Sequence, residues 1–213
     1  MLRAIQPELL DGLPPEHPDA LGNRRDLRRL NQLMGNHRWI ARTLDRHLRP
    51  REYALELGAG QGELTQQLFR RGLRADALDR WPRPAGWPAA LAWHQADLQT
   101  FDAYDHYPVV FGNLIFHQFD DAQLAALGAQ LRRSCRLIVA CEPARRKSSQ
   151  VAYRLLAPLL GFNRVSRHDG HVSIAGGFVG TELPRALGFT PADWALRCRT
   201  TWRGAYHFVA IRR

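Results

Sequence analysis

A glycine-rich turn between an apolar segment and a helix-forming segment constrains the fold of this 213-residue chain most strongly. Residues 53–57 (YALEL) form a short apolar run that is typical of a buried strand, and residues 62–71 indicate a helix. Between them, Gly58, Gly60 and Gly62 permit a tight turn and the close approach of a ligand to the backbone. The segment therefore predicts a strand, a ligand-binding loop and a helix in direct succession.

The rest of the chain alternates in the same way between apolar and helix-forming segments. Further strands are predicted at 75–78, 90–94, 109–111 with its flanks, 137–140, 194–202 and 205–211, and helices at about 120–133, 148–160 and 181–187. Alternation of this kind predicts a doubly wound, Rossmann-like α/β fold with a mostly parallel sheet of seven strands. The last two strands, joined at Arg203-Gly204, are predicted to form an antiparallel hairpin that closes the sheet.

The first 49 residues precede this pattern. Three prolines between residues 14 and 18 predict an irregular arm, and apolar residues spaced three or four apart from Asn23 onward predict helices with a break at Gly35-Asn36. We therefore divide the chain into an arm with a helical cap (1–49) and an α/β domain (50–213).

The net charge of +10 comes almost entirely from arginine, because Lys147 is the only lysine. Net charge bears on solubility and steering rather than on fold, so it permits a nucleic-acid partner without requiring one. Arginines at 38, 42 and 46 form a stripe at helical spacing, which is typical of a solvated face; a nucleic-acid patch and a lid over a cofactor are the alternatives.

Apolar runs in the sequence fall well short of the ~20 residues needed to span a bilayer. The N-terminus lacks the apolar core of a signal peptide, so we expect a cytoplasmic protein. Three cysteines without a CxxC motif argue against a disulfide framework and against a bound metal. Cys135 and Cys141 flank an apolar run and are predicted to lie in or near the core.

The spacing of the glycine loop separates it from the loop that binds dinucleotides. A G-x-G-x-x-G pattern starting at Gly58 would need glycine at position 63, where the chain has Glu63. The sequence from Glu56 to Gly62, E-L-G-A-G-x-G, instead resembles motif I of the class I S-adenosylmethionine (SAM)-dependent methyltransferases, and the resemblance covers roughly residues 50–213. It implies that SAM is the cofactor and that Glu56, Gly58, Ala59, Gly60 and Gly62 contact it.

The same resemblance assigns further cofactor contacts. Asp79, about twenty residues past the loop, corresponds to the acid that binds the ribose hydroxyls, with Arg80 beside it. Asp97, followed by Leu98, corresponds to the acid that contacts the adenine amino group, and Asn113 ends the fourth strand near the cofactor. From the residues alone, the alternatives are that Asp79 is a turn residue and that Asp97 is a helix cap.

The segment after the fourth strand bears on the methyl acceptor. Amino-group methyltransferases often carry Asn/Asp-Pro-Pro-Tyr or Asn-Leu-Pro-Tyr here, whereas this chain has residues 113–116 as NLIF, without the proline. The stretch to His117 is more similar to the NLFLHHF type of segment in small-molecule methyltransferases. Residues 30–40 (LNQLMGNHRWI) also resemble small bacterial methyltransferases, some of them linked to polyketide or quinone-like products.

His117 is the predicted general base or substrate-orienting group, and a packed or capping histidine is the alternative. Further predicted substrate contacts are Arg38, which could also bind the SAM carboxylate, and Glu142, which could instead cap a turn. His168 and His171 lie in a segment predicted as a turn, where the family often places a substrate lid.

The expected function is SAM-dependent methyl transfer to a small hydroxylated acceptor, phenolic or polyketide-like, with O-methylation as the reaction. One alternative is methylation of rRNA or another nucleic acid, because ELGAGQGELT and VVFGNL also resemble the rRNA adenine dimethyltransferases and the charge fits. A second alternative is a non-catalytic SAM-binding module.

Overall fold

A seven-stranded sheet with the order β3-β2-β1-β4-β5-β7-β6 forms the centre of the molecule. The computed structural model describes residues 1–14 and 16–213. The strands are β1 (Ala54–Leu57), β2 (Ala75–Asp79), β3 (Trp93–Gln95), β4 (Val109–Asn113), β5 (Leu137–Pro143), β6 (Trp194–Thr200) and β7 (Ala205–Arg212). Strands β1 to β5 pair in parallel, whereas β7 pairs antiparallel with both β5 and β6. The predicted Rossmann-like sheet with a C-terminal antiparallel hairpin is therefore confirmed.

Helices cover both faces of this sheet. They are α1 (Pro18–Met34), α2 (Asn36–His47), α3 (Glu63–Phe69), α4 (Asp121–Ser134), α5 (Lys147–Leu159), α6 (Arg164–Gly176) and α7 (Glu182–Ala186). Helices α2 and α3 share one apolar core with Val109 and Phe111 of β4, and α4 and α7 share a second core with Val110 on the other side of that strand. The alternation of side chains along a strand thus gives each helical layer its own core. No described helix combines the length and apolar composition that crossing a bilayer requires.

The N-terminal region contains more helix than the sequence predicts. Helix α1 begins at Pro18, where proline occupies the first turn and His17 Nδ1 accepts the amide of Asp19. The predicted break between two helices is confirmed, because Gly35 adopts a left-handed φ of 76° that ends α1. Helix α2 buries Ile40 in the core beneath the sheet. The division at residue 49 between a cap and a domain stays a prediction.

Helix α6 was not predicted, and the predicted turn over residues 168–171 is wrong. The segment is rich in polar residues and glycine, which have low helix propensity. Capping and burial stabilise the helix instead: the Asn163 side chain accepts the amide of Ser166, and Val165 and Val172 are buried.

Parallel strands bring the ends of β1, β2, β4 and β5 to one edge of the sheet. The N-terminal arm reaches this edge along α6, where Ala4 donates to the carbonyl of Ala175 at 3.1 Å and Arg3 Nε donates to the carbonyl of Gly176 at 2.9 Å. The sequence predicts an irregular arm. In the structure, hydrogen bonds to the backbone of α6, more than 160 residues away along the chain, hold the arm in place.

The close packing of α4 against the end of α7 leads to a stability prediction. A Cβ atom at Gly128 would lie 2.1 Å from the carbonyl oxygen of Leu187, so Gly128→Ala overpacks this contact. We expect urea denaturation to show a loss of about 2 kcal/mol, even though alanine favours helix. Gly12→Ala is the control, because a Cβ there meets nothing within 4 Å. Equal stability of Gly128→Ala and the wild type would contradict the described contact.

Candidate active site

A cavity of about 1010 Å³ lies at the carboxyl edge of the parallel strands and continues between α1 and α5. Nine of the ten predicted cofactor contacts line it: Glu56, Gly58, Ala59, Gly60, Asp79, Arg80, Asp97, Leu98 and Asn113. The tenth, Gly62, has a packing function instead, because a Cβ there would lie 2.1 Å from the ring of Trp87.

The glycine loop has the backbone that its sequence predicts. Gly58, Gly60 and Gly62 have φ values of 65°, 59° and 67°, in the left-handed region that favours glycine. A Cβ at Gly58 would lie 2.6 Å from the side chain of Ile115, whereas one at Gly60 would meet nothing within 4 Å. The loop is thus packed on one side and leaves its backbone accessible at Gly60.

Glu56 fixes the start of α3 against the end of β1. Its Oε2 accepts the amide of Thr65 at 3.0 Å and the Thr65 hydroxyl at 2.5 Å, and the side chain is buried. Burial raises the pKa of Glu56 to about 8, which outweighs the hydrogen bonds that favour the anion. Glu56 therefore carries a proton at neutral pH and contributes no negative charge beside the loop.

Two aspartates hold backbone turns and line the cavity as well. Asp79 Oδ2 accepts the amide of Gly60 at 2.6 Å, and its Oδ1 accepts the amide of Trp81 at 2.8 Å. Burial raises the pKa of Asp79. Asp97 Oδ1 accepts the amide of Gln99 at 2.8 Å. Because a carboxylate can accept about four hydrogen bonds, these turn contacts leave acceptor capacity for a ligand in the cavity.

An asparagine cluster, which the sequence did not predict, lies where α1 meets the end of β4. Asn31 Oδ1 accepts hydrogen bonds of 3.0 Å from both Asn36 and Asn113. Among the described residues, none donates to the buried Oδ1 of Asn113, although Asn113 lines the cavity. Buried acceptors are nearly always paired, so the cluster fits a ligand that brings its own N–H or O–H donor.

Glu142 organises the segment that follows β4. Its Oε1 accepts the amides of Ile115 and Phe116 at 3.0 Å each. Its Oε2 accepts the amide of His117 at 3.2 Å and lies 2.7 Å from His117 Nδ1. Glu142 is fully buried and outside the cavity wall, so it anchors the turn and does not form the predicted substrate contact.

His117 lies between two carboxylates. On the side away from Glu142, its Nε2 is 3.4 Å from Oε1 of Glu8 in the N-terminal arm. Burial alone lowers the pKa of His117, but the bonds to Glu142 and Glu8 outweigh it and raise the pKa to about 9. In this state His117 is an imidazolium that donates from both ring nitrogens, and it cannot accept a proton.

Glu8 lines the cavity and was not among the predicted site residues. It accepts a hydrogen bond of 2.5 Å from the hydroxyl of Ser173 and one of 3.4 Å from the amide of Gln118. Asp169 anchors the next turn of the arm, because its carboxylate accepts the amides of Leu9 and Leu10 at 2.8 and 3.1 Å. The arm thus delivers Glu8 to His117 through contacts with α6.

Three predicted substrate contacts lie outside the cavity. His168 and His171 are exposed on α6, and the intervening Asp169 lines the cavity in their place. Arg38 is exposed on α2, as are Arg42 and Arg46, which fits the solvated face predicted for this stripe. Of the cysteines, Cys135 and Cys141 are buried in the core, as predicted.

The sheet order and the glycine loop together define the fold of the SAM-dependent methyltransferases, and solved structures with that fold match this chain closely in shape. One is the plantazolicin methyltransferase BpumL, solved in complex with a triazolic desmethylPZN analog and SAH: it is 12% identical over 96% of this chain and 93% of that chain, with a TM-score of 0.71.

Two further structures have the same fold. The pyocyanin biosynthetic protein PhzM is 19% identical over 93% of this chain and 60% of that chain, with a TM-score of 0.59. A putative O-methyltransferase from Nostoc punctiforme is 15% identical over 99% of this chain and 64% of that chain, with a TM-score of 0.61. Neither a family model nor a curated protein sequence matches the chain. At these identities the likeness confirms the fold that the sequence predicts.

The protonated state of Glu56 leads to a prediction of pH dependence. Its folded pKa, about 8, lies above the ordinary value of 4.5, so its stabilising contribution is complete below pH 4.5 and is lost as the pH rises to 8. At about 1.4 kcal/mol per pH unit, we expect the wild type to lose on the order of 3–4 kcal/mol relative to Glu56→Gln between pH 5 and pH 8. Glutamine keeps an oxygen for the Thr65 bonds, so the two proteins should be similar at pH 5. Parallel stability curves in urea denaturation would show that Glu56 is ionised in the fold.

Proposed function

We propose that the protein is a SAM-dependent methyltransferase that methylates a hydroxyl group of a small acceptor. The observation that carries the proposal is the buried His117, oriented by Glu142 and directed at a cavity that also contains the glycine loop. A cytoplasmic location and a small-molecule partner belong to the same proposal.

The residues at the sheet edge fit SAM. The backbone at Gly58–Gly60 would hold its methionine portion, Asp79 its ribose hydroxyls, and Asp97 with Leu98 its adenine. The unpaired Oδ1 of Asn113 suits an ammonium donor. Bound SAM would supply an electrophilic methyl group, so the protein mainly needs to align the acceptor and to exclude water.

His117 would act as the general base once Glu8 has left its Nε2 atom. Glu142 holds Nδ1–H, so Nε2 is the ring nitrogen on the side of Glu8 and the cavity. We propose that the acceptor hydroxyl takes the place of the Glu8 carboxylate. With one carboxylate gone, the pKa of His117 falls and the ring releases its Nε2 proton to solvent. The neutral ring can then accept the proton that the acceptor hydroxyl loses as its oxygen takes the methyl group and SAM becomes SAH.

The remaining cavity walls support an apolar acceptor. Leu27 and Leu30 of α1 face the cavity from one side, and Leu156, Leu160 and Phe162 line it from the region of α5. The similar structures include proteins named for plantazolicin methylation and pyocyanin biosynthesis, which also favours a small molecule.

Nucleic acid is the weaker alternative, because the arginine stripe at 38, 42 and 46 lies outside this cavity. Arginines such as Arg146 and Arg203 do line it, but so do acidic residues such as Glu8 and Asp11, whereas a nucleic-acid methyltransferase would be expected to have a uniformly basic groove leading to the loop. A module that only binds SAM needs a cavity at the glycine loop alone. The cavity here continues from the loop to the space between α1 and α5, which favours a second ligand.

The proposal is tested with SAM that carries a labelled methyl group. The protein is incubated with this SAM and a lysate of its source cells, and label is counted separately in the organic extract, the RNA and the protein. We expect label in the organic extract. Label in RNA would instead favour the nucleic-acid alternative, and SAH binding without label in any fraction would favour the non-catalytic module.

Asp79→Asn provides the matched inactive variant for this experiment. Loss of the charge-assisted bonds of Asp79 is expected to weaken SAH binding about tenfold or more, measured by calorimetry. Asp105→Asn changes an exposed aspartate outside the cavity and should leave both binding and transfer unchanged.

The exchange of Glu8 for the acceptor predicts how two variants differ. In Glu8→Gln, the pKa of His117 should fall from about 9 toward its ordinary value near 6.5. NMR titration of the His117 ring measures this change. A larger neutral fraction of His117 at pH 7 then shifts the acid limb of the pH–rate profile to lower pH.

His117→Ala should lower kcat about 100-fold or more, because it removes the proposed base. The control is His106→Ala, which changes an exposed histidine. Full turnover by His117→Ala would exclude the base function.

A further inference from the structure

The outer side of α5 and the mouth of the cavity expose several large apolar side chains. Val151, Leu155 and Leu159 recur every four residues on α5, and Leu159 is 82% exposed. Leu156 and Leu160 are also exposed and line the cavity mouth, together with Trp202, which is 86% exposed. We call this set the α5 face: Val151, Leu155, Leu156, Leu159, Leu160 and Trp202.

Contacts between chain segments bring these side chains together around one opening. Arg203 Nη1 donates to the carbonyl of Leu33 at the end of α1, at 3.2 Å. A Cβ at Gly204 would lie 3.6 Å from the hydroxyl of Ser149, so the turn that carries Trp202 also lies beside the start of α5. At the far end, Arg29 Nη1 lies 3.4 Å from the carbonyl of Leu160. Leu156, Leu160 and Trp202 therefore form part of the rim of the cavity, and the other members of the α5 face lie next to them on the outer side of α5.

The charges along α5 and its flanking segments are positive. Residues 143–167 include six arginines and lysines and no aspartate or glutamate. Of these, Arg146, Lys147 and Arg154 are exposed at or on α5, and the guanidinium of Arg203 lies 4.9 Å from the centre of the Trp202 ring. A complementary surface must be apolar and anionic at once.

An anionic phospholipid bilayer has both properties. Leucine, tryptophan and cationic side chains on one helix side are typical of helices that lie in the plane of a membrane, and tryptophan favours the interface. A second copy of the chain fits poorly, because it would set Lys147 and Arg154 against the same cations.

We propose that the α5 face docks on the surface of an anionic phospholipid bilayer, with the cavity mouth toward the lipid. A lipid-soluble acceptor then reaches the cavity between α1 and α5 without crossing water. The docking follows from the exposed surface alone, whereas this statement about the acceptor rests on the proposed function.

The test is sedimentation of the full chain with vesicles, without SAM or acceptor. One set of vesicles contains phosphatidylcholine alone, and in the other about a third of the lipid is phosphatidylglycerol. We expect binding to the anionic vesicles that weakens with added salt, and little binding to the neutral ones. The affinity of the double variant Leu155→Ser/Leu159→Ser for the anionic vesicles should be lower than that of the wild type by about tenfold or more.

Matched controls separate the α5 face from general basicity. Leu2→Ser changes a leucine in the arm that is more exposed than either Leu155 or Leu159, and it should not alter binding. Lys147→Gln/Arg154→Gln should weaken binding, whereas Arg70→Gln/Arg71→Gln, two exposed arginines at the end of α3, should not.

Failure to sediment with anionic vesicles would overturn the proposal. The α5 face would then fit the surface of an acidic protein better than a bilayer. Undiminished binding of Leu155→Ser/Leu159→Ser would overturn it as well, as would a solution dimer that this variant disperses. Leu155 and Leu159 do not line the cavity, so the variant should keep SAH binding. A failure of docking is thereby distinguished from a failure of the proposed function.

Discussion

The segment after β4, which carries His117, depends on the carboxylate of Glu142. A buried carboxylate is costly unless its oxygens are paired, and four donors meet this one: three successive amides and the ring of His117. To direct three amides at one group, the chain must bend sharply after β4. Leu114 accordingly has a φ of 59°, in a region that few residues other than glycine adopt. The strain at Leu114 and the orientation of His117 are thus two results of one interaction.

A second buried acid acts in a contrasting way. Among the described residues, Glu56 receives hydrogen bonds from Thr65 alone, the charged groups that act on it are the acids Asp79 and Glu63, and burial leaves it protonated at neutral pH. The hydrogen-bond donors around each acid therefore decide its chemistry more than its position at a strand end does. Glu56 stabilises the loop as a neutral group, whereas Glu142 pairs with a cationic ring.

The sequence predicts the sheet well, because strands buried on both faces are apolar and bounded by glycine or charge. It also predicts the tight glycine loop, because the turn depends on locally spaced glycines, and the predicted acids Asp79 and Asp97 line the same cavity as the loop. Helix α6 was missed because its stability comes from the Asn163 cap and from packing. Glu8 and Asn31 were missed because their partners, His117 and Asn113, lie 109 and 82 residues away. Spacing along the chain carries no signal for such pairs.

The contact of Glu8 with His117 also has a thermodynamic consequence for acceptor choice. Under the proposed function, the Glu8 carboxylate at Nε2 of His117 competes with every acceptor at a fixed local concentration. The apparent affinity of an acceptor is then its intrinsic affinity multiplied by the fraction of molecules in which the arm has withdrawn. Acceptors that gain further binding energy from the apolar walls can overcome this competition, whereas water and small alcohols cannot. The arm would in this way act as a filter that keeps the reactive methyl group from adventitious hydroxyls.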